Sequence, residues 1–111
     1  MLDATLSASE SDGDVDLALT VENTGDDPVT LSFRDGQRAE YVAERADGSE
    51  VWRYSDGRGF TMALGTEELA PGDTVTYEAT WHDPPSGDYT VRAWVVAADA
   101  DAADETAVAV A

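Results

Sequence analysis

The chain has 111 residues, with 24 acidic and 6 basic side chains and a formal charge of −18. That length suits one domain, so the chain reads as a single unit over residues 1–111. No apolar run approaches the ~20 residues of a membrane helix. The start Met1-Leu2-Asp3-Ala4 lacks the pattern of a secretory signal. Phosphate binding needs clustered Lys or Arg, so neither nucleic acid nor a membrane is an expected partner.

The first alternating segment is Leu2, Ala4, Leu6 and Ala8, a predicted strand. Val15, Leu17, Leu19 and Val21 then alternate with polar or small residues, giving a strand with one buried and one wet face. Asn23-Thr24-Gly25-Asp26-Asp27-Pro28 stops it, and Val29, Leu31 and Phe33 resume the alternation. Residues 39–45 and 50–54 flank Ala46-Asp47-Gly48-Ser49 as a hairpin. Residues 55–72 are less regular, and Phe60, Met62 and Leu64 predict a short strand within them.

Leu69-Ala70-Pro71-Gly72-Asp73 is a tight turn into Val75, Tyr77, Ala79 and Trp81, another alternating set. His82-Asp83-Pro84-Pro85-Ser86-Gly87-Asp88 breaks that strand before Tyr89, Val91, Ala93 and Val95. Residues 97–105 read as an Ala- and Asp-rich loop, with a last strand at Val108 and Val110. A helix over Ala97–Ala109 is the competing reading, but that stretch has no large apolar stripe at helical spacing. Short strands with turns every eight to twelve residues predict an all-β fold, an immunoglobulin-like antiparallel β-sandwich of about eight or nine strands.

Composition adds two expectations. Leu, Val and Phe make up under a fifth of the chain, a level that with high charge warns of disorder. The ordered alternation overrules that warning. There is no Cys, which excludes disulfides and thiolate chemistry and fits a cytoplasmic protein. All six basic residues are Arg and none is Lys. Such a surface resembles that of a salt-in halophile protein, whose self-repulsion salt screens.

Catalytic motifs are not evident, and no catalytic residue, metal ligand or cofactor is assigned. The single His, His82, sits in a turn and reads as a surface residue. No Ser has a G-x-S-x-G context. Asp12-Gly13-Asp14-Val15-Asp16 has oxygens at alternating positions, as calcium loops do, but Leu17 stands where such a loop needs Gly. The acids at 99–105 read as a solvated loop.

The middle of the chain is more specific. It carries Val21-Glu22-Asn23-Thr24-Gly25, Gly36-Gln37-Arg38-Ala39-Glu40-Tyr41, Val51-Trp52-Arg53-Tyr54-Ser55, Gly59-Phe60-Thr61 and Leu69-Ala70-Pro71-Gly72, followed by Trp81 and Gly87-Asp88-Tyr89-Thr90-Val91. This series, over roughly residues 15–96, resembles the BsuPI-type intracellular proteinase inhibitor family. The V-W-x-x-S and F-T pieces, with the L-x-P-G turn and the later Trp, are its specific part. Glu40 departs from the Asp that the pattern favours before an aromatic residue. The resemblance implies an immunoglobulin-like sandwich and a noncatalytic inhibitor of a subtilisin-type serine protease; a monomer is expected. The alternative is an immunoglobulin-like interaction module that binds another protein without inhibiting a protease.

The resemblance carries no reactive-site residue. The longest irregular segment, Ser55–Glu68, offers Arg58, Phe60, Met62 and Leu64 as partner-binding residues. Core packing is the competing expectation for Phe60 and Met62, and pairing with nearby carboxylates for Arg53 and Arg58. The stiff Pro84-Pro85 loop is the second choice of binding segment. The strand order would put residues 23–28, 55–68 and 97–104 at one end of the sandwich, and 10–13, 46–49 and 82–88 at the other. Trp81 shares parity with Val75 and Tyr77 and is expected in the core, whereas Trp94 has surface parity.

Overall fold

Alternating apolar residues pair into nine strands: β1 (Leu2–Ser11), β2 (Asp14–Asn23), β3 (Val29–Phe33), β4 (Ala39–Glu44), β5 (Glu50–Arg53), β6 (Gly65–Leu69), β7 (Thr74–Trp81), β8 (Gly87–Val95) and β9 (Ala103–Val110). The structure is a computed structural model and describes residues 2–60, 62, 64–98 and 100–111. All strand pairs are antiparallel, in a three-stranded sheet β1-β2-β7, a four-stranded sheet β5-β4-β8-β9 and a two-stranded sheet β3-β6. The fold is an all-β antiparallel sandwich, with no helix among the described residues.

The two larger sheets bury the predicted odd-numbered faces against each other. Val15, Leu17, Leu19 and Val21 of β2 are buried, as are Tyr89, Val91, Ala93 and Val95 of β8. Ala79 and Trp81 join them, while Val75 and Tyr77 are only half-buried because β7 lies at a sheet edge. Leu31, Phe33 and Leu69 bring the small sheet into the same core.

Turn chemistry sets the connections. Asp12-Gly13, considered above as part of a calcium loop, is the two-residue turn of the β1–β2 hairpin, with φ of 53° and 83°. Both angles lie in the left-handed region that such a turn requires. Asn23 is a buried staple. Its Nδ2 donates to the carbonyls of Asp27 (2.8 Å) and Leu69 (2.9 Å), and its Oδ1 accepts from Gly25 N–H (3.0 Å). It thereby fixes the turn after β2 against the turn before β7. At the opposite end, Tyr89 donates its hydroxyl to the Pro85 carbonyl (2.7 Å), a corner like that of many β-sandwiches.

Three expectations need correction. The strand expected around Phe60, Met62 and Leu64 begins at Gly65, because its ladder to β3 runs from Phe33↔Gly65 to Val29↔Leu69. The loop expected over 97–105 ends earlier, since Ala103, Asp104 and Glu105 pair with Trp94, Ala93 and Arg92. That pairing also replaces the helical alternative. The segment after β5 does not join the end loops: it runs along the flank, where Tyr54 and Arg58 line one cleft with Glu78, Thr80 and His82 of the β7 side.

Both flanks are closed by side chains as well as strands. On one, the Tyr41 hydroxyl donates to the Tyr77 carbonyl (2.8 Å). On the other, Asp104 Oδ2 accepts from Leu6 N–H (2.8 Å) and Glu10 from Ala111 N–H (3.1 Å). Capping edge groups in this way denies them to a stray strand.

Candidate protein-binding site

The segment between β5 and β6 starts from a buried carboxylate. Glu40, 6% exposed, accepts from the N–H groups of Tyr41 and Ser55 through Oε1, each at 3.1 Å. Its Oε2 lies 3.7 Å from Arg53, which also binds Glu50 at 2.8 Å. That second bond keeps the Glu50 carboxyl below its ordinary range and the Arg53 guanidinium above its own. The expected pairing of Arg53 with carboxylates is therefore present, and it clamps the end of β5.

Two overlapping turns follow, with Asp56 N–H donating to Arg53 O (3.1 Å) and Arg58 N–H to Ser55 O (3.2 Å). Tyr54 turns inward, and its ring meets Tyr41 edge-on at 5.4 Å and Phe60 at 6.2 Å. Arg58 lies over the same ring, 4.2 Å from its centroid. This corrects the expectation for Arg58: its described partner is an aromatic face, and it forms no ion pair among the described residues.

The far stem is fixed by Arg38. Its guanidinium packs over Phe33 (4.4 Å), donates to the Asp35 carbonyl (2.7 Å) and pairs with Glu67 (3.5 Å). It passes so close to Gly65 that a Cβ there would stand 2.6 Å from Nη2. A side chain at that position would have to push the guanidinium aside from its place beside Gly65.

Between these stems the predicted residues separate into two roles. Phe60 is half-buried on Tyr54 and supports the segment. Met62 and Leu64 are 88% and 82% exposed and are the exposed large hydrophobic residues of the described chain. The core expectation for Met62 is thus overturned: the side chain projects outward because the strand that would have turned it inward begins only at Gly65. Thr61 and Ala63 lie outside the described residues.

Beneath the segment, Tyr41, Tyr54, Phe60 and Tyr77 line a cleft. The Tyr77 hydroxyl donates to Glu67 (2.9 Å), and burial together with that carboxylate raises its ionisation above the ordinary phenol range. Burial likewise raises Tyr41. Neither phenol supplies a proton near neutrality.

The remaining candidates are less suited. In the Pro84-Pro85 loop, Pro84 is buried, the Pro85 carbonyl is tied by Tyr89, and Asp83 N–H donates to Asp14 (3.0 Å). His82 lies exposed, 3.4 Å from Asp14. Trp94 is half-buried on the outer face of the four-stranded sheet, lining a shallow groove with Arg92, Ala103, Asp104 and Glu105. Among the described residues, no three His, Asp or Glu side chains form a cluster fit for a metal ion.

Sequence reasoning missed the role of Glu40. The one signal was its place directly before the aromatic Tyr41, noted above only as a departure from the expected Asp. What it binds, the amide of Ser55 on another strand's far end, was not readable from spacing.

The family model described as BsuPI, intracellular proteinase inhibitor, matches residues 2–100. The chain belongs to the BsuPI family. No curated protein matches it. Among solved structures, the BsuPI chain is similar to a Bacteroides uniformis beta-glucuronidase, with a TM-score of 0.54 and 13% identity over 98% of this chain and 14% of that one. Bacteroides uniformis beta-glucuronidase 2, covalently bound to cyclophellitol-6-carboxylate aziridine, gives 0.53 and 14% over the same shares. The chain thus spans about a seventh of the length of those enzymes, and at this identity the likeness is one of fold.

Proposed function

We propose that this BsuPI-family chain is a noncatalytic, monomeric inhibitor of a subtilisin-type serine protease, and that it presents the β5–β6 segment to the protease cleft. The observation that carries this reading is the exposure of Met62 and Leu64, at 88% and 82%, on a segment whose two stems are fixed by Glu40 and Arg38. Stems already fixed in place reduce the chain entropy lost on docking. Arg58 and Phe60 contribute by stacking on Tyr54, and Arg58 keeps an exposed cationic edge for the partner. The absence of Lys and the charge of −18 support a cytoplasm of high salt as the working medium.

The test is steady-state inhibition of a salt-tolerant subtilisin-type protease in molar KCl, with a fluorogenic peptide substrate and mass spectrometry of the inhibitor. Saturable inhibition by an intact chain is the expected result. Substituting Met62 and Leu64 together by Ser should weaken it at least tenfold with the fold unchanged.

A second reading is an immunoglobulin-like interaction module that binds another protein without inhibition. Trp94 favours it, as an indole on an open sheet face beside Arg92, since Trp and Arg are common interface anchors. Absence of inhibition by a folded domain would favour this second reading.

A further inference from the structure

We infer that Met62 is a peroxide-sensitive switch on the binding segment, an inference that rests on the inhibitor reading above. The chain has two methionines, Met1 and Met62, and no cysteine. Met62 is 88% exposed, so its thioether sulfur is open to small oxidants, and no thiol of the chain competes for them. Susceptibility to oxidation follows such exposure.

The step is an oxygen-atom transfer from hydrogen peroxide or an organic hydroperoxide. The sulfur lone pair attacks the distal oxygen, the O–O bond breaks, an S–O bond forms, and water or the alcohol leaves. The sulfide is oxidised by two electrons and the peroxide is reduced. A thiol-dependent sulfoxide reductase reverses the change, with two thiols giving one disulfide and water.

The consequence differs between the folded domain and the complex. Met62 projects away from the core, so its sulfoxide leaves the sandwich intact. In a protease pocket that takes an apolar side chain, the polar S–O group would be buried without a partner. The neighbouring Leu64 carries no sulfur and is unchanged. Oxidation therefore removes one of the two apolar contacts while the scaffold persists.

The experiment treats the folded chain in molar KCl with hydrogen peroxide, removes the peroxide with catalase, and locates the added oxygen by peptide mass spectrometry. Inhibition constants are measured on untreated, oxidised and reductase-treated protein. The Met62→Leu variant, which keeps Met1 and the apolar volume, runs in parallel. The expected result is a loss of about 10- to 100-fold in affinity on oxidation of Met62, recovery after the reductase, and a Met62→Leu variant whose own inhibition constant, whatever its untreated value, is unchanged by peroxide. Unchanged inhibition with Met62 oxidised overturns the proposal. So does an equal loss in the oxidised Met62→Leu variant, which would place the sensitive group elsewhere. Lack of inhibition by untreated protein would defeat the underlying inhibitor reading instead, and is scored before any peroxide is added.

Discussion

The indole rings of Trp52 and Trp81 stack with centroids 5.5 Å apart and planes 18° from parallel. Trp52 belongs to β5, at the edge of the four-stranded sheet, and Trp81 to β7, at the edge of the three-stranded one. The contact therefore joins the sheets along one flank. It continues inward to Tyr89, edge-on to Trp81 at 5.0 Å, and outward through Tyr54 to Phe60. The core and the candidate binding segment share one aromatic series.

Replacing Trp52 by Ala should open that flank. A large-to-small change at a partly exposed aromatic costs about 2–3 kcal/mol, at or below the low end for buried Trp. Trp52→Phe should cost roughly half as much, because a smaller ring still covers Trp81. Urea denaturation in molar KCl reads both. Inhibition should weaken with Trp52→Ala even under conditions where the variant is fully folded, since Tyr54 loses a neighbour.

Glu40→Ala leaves the amides of Tyr41 and Ser55 without their acceptor, at a cost of about 1–3 kcal/mol. Glu40→Gln keeps a carbonyl oxygen for both amides but loses the buried charge that faces Arg53, so it should cost less than the Ala variant. Hydrogen exchange at the Ser55 amide separates the two. It should accelerate strongly in the Ala variant and little in the Gln variant.

Asn23→Ala removes the three hydrogen bonds of a buried side chain, one of them fully buried, and should destabilise the fold by about 2–4 kcal/mol. Asn23→Asp should be worse at neutral pH, because an ionised carboxylate would face the Asp27 and Leu69 carbonyl oxygens. Its deficit should shrink as the pH falls and the acid protonates. Thermal melts of both variants between neutral and mildly acidic pH check the ordering.

Alkali should unfold the chain through its buried phenols. Tyr41 and Tyr77 ionise above the ordinary phenol value in the folded state, both chiefly because burial penalises the charged form. In the unfolded chain they ionise near pH ~10. Their contribution is complete below that value and is lost as the pH rises from it toward the folded values, at up to about 1.4 kcal/mol per pH unit for each group. Tyr77→Phe should flatten the fall in stability above pH ~10. An unchanged slope would mean that other groups drive alkaline unfolding.

Salt should raise the melting temperature, because the charge of −18 repels itself and the screening length falls from ~10 Å at 0.1 M to ~3 Å at 1 M. Asp3 and Glu22 stand directly opposite each other on β1 and β2, a like-charge pair that disfavours the ladder. The double variant Asp3→Asn, Glu22→Gln should melt higher than wild type in 0.1 M KCl, by a few degrees. The difference should disappear in 2 M KCl.

Much of this fold is legible in the sequence, for a local reason. Side chains alternate across a strand, so Val15, Leu17, Leu19 and Val21, or Tyr89, Val91, Ala93 and Val95, declare both the strand and its buried face. Turn residues such as Asn23, Asp47-Gly48 and Pro71-Gly72 mark where the chain reverses. The candidate site was half legible. Arg58, Phe60, Met62 and Leu64 were found together because the regular pattern lapses between β5 and β6. Their roles were not separable by spacing, since an apolar residue at alternate positions serves a core strand or an exposed segment equally well.

Local alternation and turn chemistry determined an all-β chain with paired strands and a defined inner face, and the series of motifs determined the family. Tertiary structure alone decided that Trp52 meets Trp81, that Glu40 holds Ser55, that Arg58 stacks on Tyr54 and that Met62 points outward. Those facts depend on which strands become neighbours and where a ladder begins. The β3–β6 ladder starts at Gly65, with Arg38 packed against that glycine, so Met62 and Leu64 lie outside the sheet and face water.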